Sequence, residues 1–284
     1  MIRKILVPVR GDGKGDNVLA HAAALAHRNN SHVVVTHCRA RPEDLLPFGV
    51  PIPAVFRKQM MKQAEELADV EEAGMREELK ALVEKLDLAT DVDPHSDRAT
   101  AEWVEETGKQ VDVIRRHGRL ADVIAVPQPD IDRNLGANTL KAALFRTGRP
   151  VLMVPNGVEP PEKLCEHVTV AWNGSMEASR AVTMTLPVLR AAGQVTILTS
   201  GGEPNAATAA DLQDYLLAHQ IKAAIHRFEG ARRVGPALLA SSREVGADTL
   251  IMGAYGDSHE KETVFGGNTQ HIVDQAKMPV ILVH

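Results

Sequence analysis

The sequence is poor in aromatic residues, has no excess of positive charge and contains no long apolar run. Phe, Trp and Tyr make up 3% of its 284 residues, and the formal net charge is -5. Binding of nucleic acid through a basic patch or an aromatic stacking platform is therefore not expected. Because no apolar run approaches the roughly 18–20 residues that span a bilayer, no membrane segment is predicted either.

Cysteine is also scarce, since Cys38 and Cys165 are the only two and they stand far apart. Neither belongs to a CxxC pair, so the sequence predicts no disulfide framework and no zinc site, and it fits a reducing cytoplasm. The apolar core of residues 1–9 is too short for a signal peptide, and we interpret it as the first buried strand.

The most informative feature that is present is an internal repeat. Residues 4–11 resemble residues 167–174, because each segment is a short β-rich apolar run that ends in a polar residue and a glycine. An alanine-rich helical pattern follows both. Later in the chain, residues 121–126 resemble residues 247–252. Self-similarity of this kind predicts two copies of one structural unit.

Within each copy, apolar runs bounded by Gly or Pro alternate with helical patterns. This alternation predicts an α/β fold, built from two repeats of a doubly wound, five-stranded parallel sheet with helices on both faces. The apolar runs are continuous, as is typical of strands covered on both faces. The predicted strands are 3–9, 32–38, 88–95, 121–126, 150–155, 166–172, 194–200, 222–228, 248–253 and 279–283.

A proline-rich linker at residues 155–161 separates the two copies. We predict one domain over 1–157 and a second over 163–284. The first copy contains an insert at about 40–86, in which a proline-rich stretch precedes a charged helical pattern. This helix is interpreted as a solvated face supported by i,i+4 charge pairs, with a partner surface around residues 45–56 as the alternative.

Two loops of the second copy carry the chemistry. One begins at Asn173 and Gly174, after the first strand of that copy, and the other begins at Gly253 and leads into a helix near Asn268. Ligands of open α/β sheets bind at the carboxyl ends of the strands. Glycines allow close approach of the backbone, and helix N-termini attract anions, so these loops predict a phosphate cradle. Asn268 and Thr269 would either donate to the phosphate or cap the helix.

The spacing Gly253-x2-Gly256-x9-Gly266-Gly267 resembles the nucleotide loop of the universal stress protein family, and the chain looks like a tandem two-domain member. The resemblance implies an adenine nucleotide alpha hydrolase-like fold that binds ATP or another adenine nucleotide, with or without Mg. Glycines would line the phosphates and ribose, polar side chains would donate to phosphate, and the end of the first strand would contact the nucleoside. The residues that it assigns to binding are Ala171, Asn173, Gly253, Gly256, Gly266, Gly267, Asn268 and Thr269.

The sequence departs from the family pattern at several positions. Asn173 stands where the family often has an aspartate, and Gly267 stands where a serine or threonine is commoner. In the first copy, Pro127 and Pro129 occupy the places of the first glycines, and only Gly136 remains. We therefore predict no ATP in the first domain, which would instead pack against the second as an intramolecular pseudo-dimer; a homodimer is left open.

The resemblance implies a stress-response protein whose C-terminal domain senses an adenine nucleotide, and we expect no catalytic residues and no metal site of its own. Two alternatives remain open. One is a nucleotide-free scaffold with vestigial sites, and the other is a slow ATPase that uses Asp257, His259 or Glu260. Tyr255, between two of the glycines, is interpreted either as a shield for the nucleotide or as a packing residue.

Overall fold

A computed structural model shows a single ten-stranded sheet with helices on both faces. The residues that it describes are 1–9, 15–39, 41, 53–90, 97–130, 132–133, 135–201, 206–229, 234–255 and 267–284. Within this part of the chain, no helix is both long and apolar enough to cross a bilayer.

The described residues of the first half form five strands and four helices. They are β1 (Lys4–Val9), α1 (Gly15–Asn29), β2 (His32–Arg39), α2 (Ala54–Lys85), β3 (Thr100–Thr107), α3 (Gln110–Gly118), β4 (Val123–Pro127), α4 (Ala137–Thr147) and β5 (Val151–Val154).

The second half repeats this order, with five strands and five helices in the described residues. They are β6 (His167–Ala171), α5 (Met176–Met184), α6 (Leu186–Ala191), β7 (Gln194–Thr199), α7 (Ala209–Ala218), β8 (Ala223–Arg227), α8 (Val234–Glu244), β9 (Thr249–Gly253), α9 (Gly267–Gln275) and β10 (Val280–Val283).

The strand order is β3-β2-β1-β4-β5-β10-β9-β6-β7-β8, so the second half mirrors the first. All pairs within a half are parallel, and the two halves join through the antiparallel pair β5–β10, in which Leu152 lies opposite Ile281. The last strands of the two halves thus cover each other's edges, as expected of exposed apolar strands. The predicted fold class, α/β with doubly wound parallel five-stranded sheets, is confirmed.

The helices divide between the two faces of the sheet. One core contains buried residues of α1, α2, α5, α6 and α7, and the other contains buried residues of α3, α4, α8 and α9. Both cores extend across the β5–β10 junction, where Leu152 and Ile281 belong to the first and Val151 and Leu282 to the second. Coverage on both faces explains why the central strands are continuously apolar.

A pair of aspartates shows how closely the halves repeat each other. The Asp122 carboxylate, just before β4, accepts hydrogen bonds from the amides of Arg3 and Lys4 at 2.7 and 3.0 Å. Asp248, just before β9, accepts from the amides of Cys165 and His167 at 2.7 and 2.6 Å. In each half the carboxylate therefore ties the start of the fourth strand to the start of the first.

The third strand is the one misplaced in the sequence prediction. It was expected at 88–95, of which 91–95 lie outside the described residues, whereas the observed β3 is Thr100–Thr107, with an isolated parallel bridge between Ala89 and Thr100. β3 is an outer strand of the sheet, and it mixes apolar and charged residues instead of forming a continuous apolar run. The other predicted strands agree with the structure to within two residues at each end.

Candidate functional site

The candidate site is the crevice between the carboxyl ends of β6 and β9 in the second half. These neighbouring strands are parallel, with Val170 opposite Ile251. After β6 the chain continues to α5, which packs on one face of the sheet. After β9 it continues to α9, and α9 packs on the opposite face. A crevice between strands that connect to opposite faces is where ligands of doubly wound folds bind.

The loop after β6 is held by local hydrogen bonds. Ala171 is the last residue of β6 and is half-buried, whereas Asn173 is exposed and its Oδ1 atom accepts from the amide of Ser175 at 3.1 Å. The Ser175 hydroxyl oxygen in turn accepts from the amide of Ala178 at 3.2 Å and caps α5. The side chains of this loop thus fix the N-terminus of α5 beside the crevice.

Trp172 and Gly174 contact a second segment of the chain, residues 206–208. The Trp172 indole is buried, and its Nε1 donates to the carbonyls of Ala207 and Thr208 at 3.0 and 3.1 Å. Gly174 has a φ of +80°, and a Cβ there would lie 2.7 Å from the Ala206 Cβ. Left-handed backbone and close packing together require glycine at this position.

Gly253, the last residue of β9, has a packing role that the sequence alone did not indicate. A Cβ at this position would lie 2.5 Å from the Glu177 carbonyl carbon and 2.7 Å from the Ala178 nitrogen. The absence of a side chain therefore lets the first turn of α5 pack directly on the end of β9. Gly256 and Gly266, together with Asp257, His259 and Glu260, lie outside the described residues.

The first turn of α9 holds the three remaining predicted residues. Gly267 begins the helix, is exposed, and a Cβ there would meet no atom within 4 Å among the described contacts. Asn268 is also exposed, and its Oδ1 accepts from the amide of Gly235 at 3.2 Å, which links α9 to α8. Thr269 is 6% exposed. The solvent side of this turn is therefore formed by backbone and by Asn268, while the Thr269 side chain points inward.

Tyr255 lies between the halves of the molecule. Its ring centroid is 5.1 Å from that of Phe145 on α4, and the His284 ring is 4.7 Å from Phe145. Burial, with the Asp274 charge as a second cause, raises the pKa of the Tyr255 phenol above its usual range. Of the two interpretations of this residue, the described contacts favour packing.

The corresponding edge of the first half is organised differently. Gln128 follows β4, is 3% exposed, and donates through Nε2 to the carbonyl of Val273 on α9 at 2.7 Å. Its Oε1 accepts from the amide of Asn156 at 3.1 Å. Further on, Asp130 and Leu135 exchange backbone hydrogen bonds of 2.9 and 3.0 Å, so the loop folds back on itself before α4.

Sequence analysis missed Gln128 as an important residue. A polar residue between Pro127 and Pro129 was the available signal, but its partner Val273 is 145 residues away in the chain. Both tryptophans pack in the protein: Trp172 belongs to the buried core, and Trp103 packs against that core and stacks on His37 with centroids 5.7 Å apart.

The described residues contain no cluster of three or more His, Cys, Asp or Glu that would hold a metal ion. Among them, Cys38 and Cys165 form no disulfide. Burial raises the pKa of the Cys165 thiol to about 12, which makes it a packing residue and not a nucleophile.

Several solved structures share this fold along almost the whole chain. A universal stress protein from Archaeoglobus fulgidus DSM 4304 is 18% identical with a TM-score of 0.68, and the match covers 99% of this chain and 97% of that one. A putative universal stress protein from Pseudomonas aeruginosa UCBPP-PA14 is 13% identical with a TM-score of 0.57, covering 99% and 93%.

A protein of unknown function from Pseudomonas aeruginosa PAO1 is 12% identical with a TM-score of 0.55, covering 99% of this chain and 92% of that one. No curated protein matches the sequence. The model of the universal stress protein family matches residues 1–132, which form most of the half that lacks the glycine loop. The whole chain therefore shares the fold of these structures, and residues 1–132 match the universal stress protein family.

Proposed function

We propose that the chain is a tandem universal stress protein, acts in the stress response in the cytoplasm, and binds ATP or another adenine nucleotide in its C-terminal half. Binding would occur in the crevice between β6 and β9 and would order the loop between Gly253 and Thr269. The protein would then act as a nucleotide-linked sensor, and the N-terminal half would be its nucleotide-free partner in an intramolecular pseudo-dimer.

The observation that carries this proposal is the exposed first turn of α9 beside the crevice. The first amides of a helix have no partner within the helix and carry partial positive charge. Gly267 places no side chain in front of these amides, and the glycine-rich segment from 253 to 266 leads directly into them. A phosphate would thus be bound by these backbone N–H groups.

The side chains around the crevice would complete recognition. The Asn268 Oδ1 is engaged by Gly235, so its Nδ2 would be the atom that donates to a phosphate oxygen. Asn173 is exposed at the end of β6, and a neutral carboxamide there would bind a nucleoside hydroxyl more weakly than an aspartate. Mg would come with the nucleotide, since the described residues hold no metal cluster.

A nucleotide-free scaffold is the second candidate, and two contacts favour it. Gly253 is explained by the packing of α5, and Asn268 by its bond to α8, so neither residue requires a ligand. Under this alternative the crevice is an inherited feature of the fold, and the protein acts through its surface alone.

The substitution Gly267→Glu separates these two functions. A carboxylate at the first position of α9 favours the helix dipole and meets no steric obstacle, so the fold is kept. It would repel a phosphate from the same amides and weaken nucleotide affinity by roughly tenfold or more. The matched control is Gly267→Ala, which adds only a methyl group.

The measurement is the melting temperature with and without Mg–ATP, followed by calorimetric titration. Nucleotide that binds the folded state raises the melting temperature of the wild type and of Gly267→Ala, because stabilisation grows as RT ln(1 + [L]/Kd). Gly267→Glu should melt like the wild type without ligand and gain little from it. An unchanged melting temperature for all three proteins would support the scaffold and contradict nucleotide binding.

A further inference from the structure

A cavity of about 200 Å³ lies at the amino ends of β4 and β5, where the two halves of the molecule meet. The first half contributes its first two residues and the starts of both strands, and the second half contributes β10 and the junction between α5 and α6. The apolar side chains of the lining include Ile2, Val123, Met184, Pro187, Val188 and Ile281. Since a cavity of about 150 Å³ takes up benzene, this one has room for a phenyl ring or a short alkyl chain.

Two arginines at the edge of this cavity make no ion pair among the described residues. Arg149 belongs to the lining, and its Nε and Nη2 donate to the carbonyl of Arg119 at 3.1 and 2.8 Å. The Nε of Arg119 donates in turn to the carbonyl of Arg146 at 3.2 Å. Backbone carbonyls thus hold both guanidinium groups in place without neutralising them. The Nη1 of Arg149 makes none of these bonds, so it can donate to a carboxylate or a phosphate, the groups that arginine binds best.

The acidic residue of the lining does not cancel this positive charge. The Asp122 carboxylate is held through its Oδ2 by the amides of Arg3 and Lys4, at 2.7 and 3.0 Å. Its single negative charge is outnumbered by the charges of Arg3, Arg119 and Arg149, although the whole chain has a formal net charge of -5. The surroundings of the cavity are therefore positive and complementary to an anion.

The second half shows that the fold itself does not require these arginines. Counted from the aspartate before the fourth strand of each half, Arg119 corresponds to Val245. Counted from the proline before the fifth strand, Arg149 corresponds to Met278. The residue before the first strand is an arginine in the first half and Glu166 in the second. The same turns form without the positive charges, so the arginines are a property of this cavity and not of the fold.

We propose that this cavity binds a small anionic amphiphile, with the apolar tail inside the cavity and the carboxylate or phosphate head group on Arg149 and Arg119. Burial of apolar surface would bind the tail, and charge-assisted hydrogen bonds from the guanidinium groups would bind the head. A neutral apolar molecule would use only the cavity, and an inorganic anion would use only the arginines. This inference goes beyond the proposed nucleotide function, since β10 separates β4 and β5 from the two strands of the crevice.

Calorimetric titration of the full chain with four probes tests which chemistry the cavity recognises. Octanoate and octyl phosphate carry both a tail and an anionic head, octanol carries only the tail, and inorganic phosphate carries only the head. At least one of the first two probes should bind roughly tenfold or more tightly than each of the last two. Octanol that binds as tightly as both anionic probes, or a protein that binds none of the four, would overturn the proposal.

The substitution Arg149→Met, which copies the residue of the second half, tests the contact with the head group. It should weaken binding of the anionic probe by roughly tenfold and leave the affinity for octanol unchanged, because only the charged contact is lost. Arg149→Lys keeps the positive charge and should lose less. Arg57→Met, at an exposed position of α2, is the matched control that removes the same charge elsewhere. Equal affinities of Arg149→Met and the wild type for the anionic probe would contradict the proposal.

The substitution Val188→Phe tests the place of the tail. Val188 is buried in the lining, and the larger ring would fill the cavity, so the affinity for the anionic probe should fall by roughly tenfold or more. Circular dichroism verifies that the variant folds. Met184→Trp, at a half-buried position of the same lining, serves in its place if Val188→Phe unfolds. Full affinity in a folded variant would show that the tail binds elsewhere.

Two further measurements identify the source of the amphiphile and separate this cavity from the crevice. Wild-type protein that sediments with phosphatidylglycerol vesicles, when Arg149→Met does not, would take its head group from a membrane lipid; protein that binds octanoate and leaves the vesicles would take a free molecule. The melting temperature of Arg149→Met should respond to Mg–ATP as that of the wild type does. A response lost in this variant would assign Arg149 to the nucleotide and overturn the proposal.

Discussion

The two halves of the molecule have the same strand order but use the carboxyl edge of the sheet differently. In the second half, Gly253 lets the first turn of α5 pack on the end of β9, and the chain then continues to the exposed first turn of α9. In the first half, the corresponding position is Pro127, and the next residue, Gln128, donates to a carbonyl of α9. The second-half edge therefore packs on a helix of its own half, whereas the first-half edge contacts a helix of the other half.

The two halves are therefore packed differently at this edge, although they belong to one sheet. Backbone hydrogen bonds connect Asp130 and Leu135 in the first-half loop, and the buried carboxamide of Gln128 joins β4, the segment at Asn156 and α9. The first half thus holds α9, a helix of the second half, which is the half proposed to bind the nucleotide. The family model matches residues of the first half, whereas the glycine loop lies in the second half.

The largest effect should come from Gly253→Ala. Its Cβ would lie 2.5 Å from a backbone atom of α5, so the helix must move, and we expect the unfolding free energy to fall by about 3 kcal/mol. The matched control is Pro127→Ala in the first half, where a side chain is already accommodated, with a loss below about 1 kcal/mol. Urea unfolding measures both, and equal losses would show that the two edges are packed alike.

A smaller loss is expected from Gln128→Ala. Removal of this side chain leaves the Val273 carbonyl and the Asn156 amide without their partner in a buried region, which should cost about 2 kcal/mol. Gln213→Ala is the control, since Gln213 also donates to a carbonyl, that of Ala223 at 2.6 Å, but stays within its half and is half-buried. If the control costs as much in urea unfolding, Gln128 is no special link between the halves.

The smallest effect concerns pH and distinguishes α2 from its counterpart α7. Burial, and a hydrogen bond with Glu105 of β3, raise the pKa of Glu72 on α2 to about 6, and the same hydrogen bond lowers the pKa of Glu105. Arg39 and His37 of β2, with Asp69 and Arg76 of α2, complete the charged surroundings. In the second half, α7 begins with a capping box between Thr208 and Asp211, and the pKa of Asp211 is lowered by these bonds.

A pKa that is higher in the folded protein means that the folded state holds the Glu72 proton more tightly than the unfolded state. The contribution of Glu72 to stability is therefore present at low pH and is lost as the pH rises from about 4.5 to about 6. Glu72→Gln, which stays neutral, should be more stable than the wild type by about 1 kcal/mol above pH 6, and equal to it below pH 4.5.

Hydrogen exchange at pH 5 and pH 8 should show that this gain in stability occurs in α2 and that α7 does not change. Glu66→Gln, on the exposed side of the same helix, is the control and should show no dependence on pH. A gain for Glu72→Gln that is the same at both pH values would contradict a shared proton between Glu72 and Glu105.

Much of the fold could be predicted because its signals are local. Continuous apolar runs mark the central strands, and the repeat marks the two halves. The strand β3 escaped prediction because charged residues such as Glu102 and Glu105 interrupt its apolar residues, so that it forms no continuous apolar run. The loop glycines and the helix that follows them were also visible in the sequence, but the packing role of Gly253 was not, because the α5 backbone that approaches it is more than 70 residues earlier.

The sequence by itself determined the α/β class, the duplication, the order of the strands and the position of the glycine loop. These follow from periodicity and from residues with restricted or unusual backbone freedom, which act over a few positions. Only the tertiary structure decided that Tyr255 packs on Phe145, that Thr269 points inward and that Gln128 joins the halves. Each of these depends on which distant surfaces meet, and contacts between distant surfaces leave no periodic trace in the chain.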